Sequence, residues 1–162
     1  NTLSLHDALP ISHNDTKLNN ILFDNITNKG ICIIDLDTVM PGLSVYDFGD
    51  SIRFGANTAT EDEKDVSKVS LSLSLYEAYV NGYLNSAKDG LTDLEKELLP
   101  FGAKIMTYEC GIRFLTDYLN GDVYFKIAYP EHNLVRCRTQ FALVKDMEDK
   151  MEKMMEITKK YC

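Results

Sequence analysis

The chain has 162 residues, of which 44% are hydrophobic and 26% charged, and its formal net charge at pH 7 is −8. This composition is that of one ordinary globular domain, and the negative charge argues against a protein that binds nucleic acid through a basic face. No stretch approaches the run of about 18 apolar residues that a membrane-spanning helix needs.

The first twelve residues differ from the rest of the chain. They are too short and too interrupted for a signal peptide and have no basic start. The string Leu-Ser-Leu-His-Asp-Ala-Leu-Pro-Ile also resembles the translation of a sequencing adapter. We therefore expect residues 1–12 to be non-native or disordered, and a single folded unit to cover 13–162.

Short apolar runs and turn formers predict a β-hairpin near the start of this unit. Its strands lie near 21–24 and 31–35, joined by a turn rich in Asn, Thr and Gly. Apolar spacing then predicts a short helix over 45–54, a polar loop over 58–65 and a helix over 72–87.

Two longer helices complete the predicted fold. Thr92 and Glu95 have the spacing of a capping box, which begins a helix that ends near 119. The last helix is predicted over 131–160, with His132 at the surface. One of its faces is predicted to pack in the core through Phe141, Val144, Met151, Met154 and Ile157. The fold class is therefore α+β and mostly helical, with a small hairpin.

The segment His13-Asn-Asp-Thr-Lys-Leu-Asn-Asn20, followed by Ile33-Ile-Asp35-Leu-Asp37, has the residues that phosphoryl transfer requires. One carboxylate must orient the attacking hydroxyl, and hard oxygen ligands must hold Mg²⁺ against the phosphates. The hairpin after Asn20 returns its second strand to the loop, which brings Asp35 beside Asp15 and Asn20.

This arrangement resembles the catalytic loop and metal-binding Asp of protein kinases, and more closely those of the aminoglycoside phosphotransferase and choline kinase-like family. A further match is the Gly-x-x-x-x-Asp element from Gly42 to Asp47. The wording of these motifs, with Glu109 to Asp122, is similar to that of the family's N-acetylhexosamine 1-kinase branch. The resemblance implies the C-terminal lobe of a kinase-like fold that uses ATP and Mg²⁺ to phosphorylate a sugar at its anomeric hydroxyl.

The resemblance also implies a role for each site residue. Asp15 is the expected catalytic base, and Asn20 and Asp35 are the expected Mg²⁺ ligands. His13 and Asp47 are expected to brace the catalytic loop. Three further residues with less specific signals are Asp37 near the metal or in a turn, Phe54 in the sugar pocket or the core, and Arg113 in the sugar pocket or paired with Glu109 one helical turn earlier. Lys17 is a candidate phosphate contact or a solvated side chain.

Other functions stay open from the sequence. The acceptor could be choline, homoserine or an aminoglycoside. Asp35-Leu-Asp37-Thr38 also matches the start of a haloacid dehalogenase-like phosphatase, in which the first Asp is a nucleophile, although that family continues with alternating strands and helices. A non-catalytic fragment or pseudokinase is the third alternative.

The context predicted for the chain is simple. The Gly-rich phosphate loop and strand Lys of kinases are not seen before His13, so we expect the N-terminal lobe to be absent and the chain alone to be inactive. The four cysteines form no CxxC pair, which favours free thiols in a reducing cytoplasm. We expect no nucleic acid, membrane or obligate protein partner.

Overall fold

The computed structural model describes residues 10–162, in which four helices form most of the chain and four short strands precede the first helix. None of the described helices has both the length and the apolar character needed to cross a bilayer. In chain order the elements are β1 (Ile11–Ser12), β2 (Ile21–Phe23), β3 (Gly30–Ile33), β4 (Met40–Pro41), α1 (Ser44–Gly55), α2 (Leu73–Ala87), α3 (Asp93–Leu119) and α4 (His132–Tyr161). The mostly helical α+β prediction is confirmed.

Strands β2 and β3 form the predicted antiparallel hairpin, in which Ile21 pairs with Ile33 and Leu22 with Cys32. The turn between them is closed by Asp24, whose Oδ1 accepts hydrogen bonds from the N–H of Thr27 at 2.6 Å and from its hydroxyl at 2.8 Å. A short Asx-type turn of this kind fixes which residues pair across the hairpin.

A second pair of strands was not predicted. Ile11 and Ser12 of β1 pair antiparallel with Pro41 and Met40 of β4. Strands of two residues have no periodic pattern that the sequence could reveal. Residues 1–9 lie outside the described residues. Of the segment 1–12, which we expected to be non-native or disordered, the structure describes only residues 10–12, and these include the paired strand β1.

The core lies where the four helices meet. Phe48 and Ile52 of α1, Tyr76 of α2, Leu99 of α3 and Leu143 of α4 are each at most 1% exposed. Helices α1 and α3 cross very closely, because a Cβ on Gly49 would overlap the carbonyl oxygen of Gly102. Glycine at both positions therefore sets the distance between these helices.

The predicted helix limits agree with the structure to within one or two residues. The Thr92 capping box is formed as predicted: its Oγ1 accepts from the N–H of Glu95 at 3.2 Å, and Glu95 Oε2 accepts from the N–H of Thr92 at 2.8 Å. Helix α3 ends at Leu119, followed by Asn120 and by Gly121 with φ of 88°.

The predicted core face of α4 is wrong by part of a turn. Met154 is buried as expected, but the other four predicted residues are only partly buried. The buried face instead contains polar residues among the apolar ones: Gln140, Leu143, Met147, Met154 and Thr158. A pattern of apolar residues alone cannot find such a face. His132, predicted at the surface, is 5% exposed, and its Nδ1 accepts from the N–H of Ala128 at 3.1 Å.

Candidate active site

The loop that carries the predicted base is fixed to the first turn of α1 by Asp47. One carboxylate oxygen of Asp47 accepts from the backbone N–H of His13 and the other from that of Asn14, both at 2.8 Å. The backbone carbonyl of Asp47 accepts from the hydroxyls of Thr16 and Ser51. Three hydrogen bonds to Asp47, from His13, Asn14 and Thr16, therefore fix the loop just before and after Asp15.

Asn14 fixes the same loop from its other side, a contact that the sequence did not reveal. Its backbone is left-handed, with φ of 62°, a conformation that Asn tolerates better than most residues. Its side-chain amide donates to the carbonyls of Ser12 at 3.2 Å and Thr38 at 3.1 Å, and the Thr38 hydroxyl donates to the His13 carbonyl at 2.7 Å. The loop is thereby joined to the segment that follows Asp35.

The ring of His13 joins the loop to the end of the hairpin. Its Nε2 lies 3.1 Å from the carbonyl oxygen of Ile34, so this nitrogen must carry the proton. Its Nδ1 then accepts from the N–H of Asp15 at 3.3 Å. One neutral tautomer satisfies both contacts and connects Asp15 to the residue just before Asp35.

Asp15 lies at the centre of these contacts and is held as a carboxylate. Lys17 Nζ and Asn20 Nδ2 donate to its Oδ2 at 2.7 and 2.8 Å. Partial burial opposes ionisation, but these two hydrogen bonds and the positive charge of Lys17 outweigh it and lower the pKa of Asp15. Asp15 is therefore ionised at neutral pH and can accept a hydrogen bond from a substrate hydroxyl.

The hairpin brings Asn20 and Asp35 to the same end of the site. The N–H of Ile34 donates to the Asn20 carbonyl at 2.9 Å, so Ile34 and Asn20 face each other across the hairpin. Asp35 follows in a left-handed conformation with φ of 64°. Its charge reaches Lys17, whose pKa is raised first by the hydrogen bond to Asp15 and further by the charges of Asp15, Asp35 and Asp50.

The donor atoms of Asn20 and Asp35 fit a hard cation. Asn20 is buried and uses its Nδ2 on Asp15, which leaves its Oδ1 as a possible ligand, and Asp35 supplies an exposed carboxylate. Within residues 10–162 no cluster of three or more His, Cys, Asp or Glu side chains could hold a metal. Two protein oxygens match Mg²⁺ that is bound mainly by water and phosphates. Asp37 lies exposed in the turn Leu36–Thr38.

The two residues predicted for a sugar pocket lie on different helices. Phe54 is partly buried near the end of α1, and Arg113 is about half exposed in α3. Arg113 Nε lies 3.7 Å from Glu109 Oε1, so the alternative pairing within the helix is present, although it is longer than a hydrogen bond. The guanidinium of Arg113 also lies over the rings of Tyr124 and Phe125.

A buried ion network beside Phe54 was missed by sequence reasoning. Arg53 is 8% exposed, and its guanidinium donates to Asp50 at 2.9 Å and to Glu61 at 2.8 Å. Asp50 and Arg53 are one turn apart on α1, but Glu61 comes from the following loop. The network therefore fixes the loop after α1 to the helix that supports the loop of Asp15.

Comparison with protein families finds a match that covers the first part of this chain. A family model described as a phosphotransferase enzyme family matches residues 4–94. This segment is 91 of the 162 residues, more than half of the chain, and it contains the Asp15 loop, the hairpin, α1 and α2. Arg113 and helix α4 lie outside the matched segment.

Proposed function

Because the chain belongs to the phosphotransferase enzyme family, we propose that it transfers the γ-phosphoryl group of ATP to a hydroxyl held at Asp15. The family match confirms the resemblance to aminoglycoside phosphotransferases that the motifs indicated. The observation that supports the assignment of the site is that Asn20 bonds both to Asp15, at 2.8 Å, and to Ile34, the residue before Asp35, at 2.9 Å.

Asp15 would accept the hydrogen bond of the attacking hydroxyl and so aim its oxygen at the phosphorus. With a lowered pKa it is a weak base, so its main contribution is orientation, and it takes the proton as the new bond forms. Asn20 and Asp35 would hold Mg²⁺, which supplies charge neutralisation at the phosphates. Lys17 would exchange its carboxylate partner for a phosphate oxygen of the nucleotide.

The acceptor that we propose is the anomeric hydroxyl of an N-acetylhexosamine. The wording of the three motifs supports it, as does the partly buried ring of Phe54, which could stack on a pyranose face. Arg113, beside Tyr124 and Phe125, offers several donors for sugar oxygens.

The phosphatase alternative from the sequence is weaker in this light. A haloacid dehalogenase-like phosphatase needs alternating strands and helices after its motif, whereas the described chain beyond Pro41 forms helices and no further named strand. One feature supports the other alternative, an inert fragment. The hairpin and the turn that follows it expose apolar side chains, with Ile31 65%, Ile33 59% and Leu36 60% exposed, a surface that proteins usually cover. We propose that the 162-residue chain alone turns over little.

The test replaces Asp15 with asparagine in the full-length gene product that carries this chain. We expect kcat with N-acetylglucosamine and ATP, followed by coupled ADP release, to fall by about 100-fold or more, and ATP affinity to stay within a few fold. Asp149→Asn, the same chemical change at an exposed position on α4 outside the proposed site, is the matched control. Loss of ATP binding in Asp15→Asn, or undiminished turnover, would contradict the role proposed for Asp15.

A further inference from the structure

Asn14 comes directly before the proposed base and is bonded to the segments on either side of it. Its N–H donates to Asp47 Oδ1 at 2.8 Å, and its side-chain Nδ2 donates to the carbonyls of Ser12 at 3.2 Å and Thr38 at 3.1 Å. The hydroxyl of Thr38 donates in return to the carbonyl of His13 at 2.7 Å. Two hydrogen bonds of opposite direction therefore join this loop to Thr38.

Packing holds the side-chain amide of Asn14 in this orientation. Both acceptors of its Nδ2 are carbonyl oxygens, so the nitrogen must face them. Its Oδ1 lies against Gly42, where an added Cβ would come within 3.0 Å of it. The Gly-x-x-x-x-Asp element thus contacts Asn14 from both of its ends, since Gly42 packs on the side chain and Asp47 binds the backbone.

The residue type at this position fits a role for the side chain. The backbone of Asn14 is left-handed, with φ of 62°, a conformation that glycine adopts freely and Asn better than most residues. Glycine would serve if the turn alone mattered, but it cannot bond Thr38. Aspartate would place a carboxylate against two carbonyl oxygens. Asparagine combines a tolerated left-handed backbone with the two donors that the neighbouring carbonyls need.

Asp35 lies between two segments that are each bonded back to the preceding loop. Before it, the N–H of Ile34 donates to the Asn20 carbonyl at 2.9 Å. After it, the turn Leu36–Thr38 ends at the carbonyl that Asn14 contacts. The Asp35 side chain does not cap this turn. The bonded segments on its two sides therefore set where its carboxylate lies.

We propose that Asn14 is a positioning residue that fixes the distance between Asp15 and Asp35, an inference that rests on the proposed function. In that proposal Asp15 orients the attacking hydroxyl, and Asp35 holds the metal at the phosphates. The two carboxylates must stay aligned, since a misplacement of about 1 Å can cost about 100-fold in rate. Asn14 does not touch the reacting groups, and it acts through Thr38 on the turn after Asp35.

Asn14→Gly, made in the full-length gene product that carries this chain, isolates the side-chain contacts. It removes both donors but keeps the left-handed backbone and the N–H that donates to Asp47. With N-acetylglucosamine and ATP, we expect kcat to fall by about tenfold or more and KM for each substrate to stay within about threefold. Thr38→Val, which removes the returning hydroxyl, should also lower kcat, and Thr38→Ser, which keeps the hydroxyl, should recover most of that loss.

Asn28→Gly is the matched control, because Asn28 is also left-handed, with φ of 53°, but lies exposed in the turn of the hairpin. It should leave kcat within about twofold. Hydrogen exchange gives a readout that does not depend on turnover. Asn14→Gly should accelerate exchange of the Val39 amide, just after Thr38, by about five- to tenfold and leave that of Ile34 unchanged.

An undiminished kcat in folded Asn14→Gly or Thr38→Val, an equal loss in Asn28→Gly, or unchanged exchange at Val39 would overturn this inference while the proposed phosphoryl transfer stands. A loss of kcat/KM that lies wholly in KM would do the same, because it indicates weaker binding without misalignment. Absence of ATP-dependent turnover in the wild-type protein would count against the proposed function, and the role of Asn14 would be rejected with it.

Discussion

Replacing Asp47 should destabilise the loop from His13 to Asn20 more than the rest of the fold. Its carboxylate accepts from two neighbouring backbone N–H groups, those of His13 and Asn14, at 2.8 Å each. A hydrogen bond to a charged group contributes about 1.5–3 kcal/mol, and the lower value suits this partly exposed position. Asp47→Ala should therefore cost about 3 kcal/mol locally. Asp47→Asn keeps one carbonyl acceptor and should cost about half as much.

Native-state hydrogen exchange measures this directly at the two donors. About 1.4 kcal/mol is a factor of ten, so exchange of the His13 and Asn14 amides should accelerate about tenfold in Asp47→Asn and about 100-fold in Asp47→Ala. Amides in the core of α3 should report only the change in global stability. Asp37→Asn, an exposed substitution nearby, should change neither the free energy of local opening at His13 and Asn14 nor the global stability by more than about 0.5 kcal/mol. Unchanged exchange at His13 and Asn14 in folded Asp47→Ala would refute the reasoning.

Two further predictions concern stability. Gly49→Ala should lower the free energy of unfolding in urea by more than about 2 kcal/mol, because its Cβ would overlap the carbonyl of Gly102. Gly82→Ala, which has open space around it in α2, should raise that free energy by about 0.4–1 kcal/mol. Equal effects of the two substitutions would mean that the contact between α1 and α3 is not tight. Partial burial raises the pKa of Asp146, but hydrogen bonds that include those from Lys150 and a backbone N–H outweigh it and lower that pKa below 3.8. The stability that Asp146 contributes is then present above about pH 4 and is lost as pH falls through the folded pKa. When the free energy of unfolding in urea is measured at a series of pH values, Asp146→Asn should therefore reduce its fall below about pH 4. An equally steep fall in Asp146→Asn would contradict this.

The hairpin and the contacts of the loop that carries Asp15 could be predicted because their information is local. The loop residues from His13 to Asn20 are contiguous, and a turn of a few residues determines where Asp35 returns. The helix limits were likewise predicted from spacing and from a capping box that involves neighbours in sequence. These features depend on short stretches of chain and little on tertiary packing.

The parts that could not be predicted depend on contacts between distant segments. Gln140 and Thr158 are polar residues in the buried face of α4, and only the packing of α3 and α4 shows that they are inside. The pairing of Arg53 with Glu61 requires knowledge of how the loop after α1 folds back. Single-sequence patterns assign polar residues to the surface, so such contacts are missed systematically.

Helix α1 connects the two halves of the proposed site, and this explains why its packing is so close. At its start Asp47 offsets the strain of the left-handed residue Asn14, a conformation that costs about 1 kcal/mol or more. At its end Phe54 lines a cavity that Gln140 also lines. Since a helix is stiff over this length, the position of α1 sets where the loop that carries Asp15 lies relative to Phe54. The contact at Gly49 fixes that position against α3, so a shift of α1 should change the order of the Asp15 loop and the position of Phe54 together.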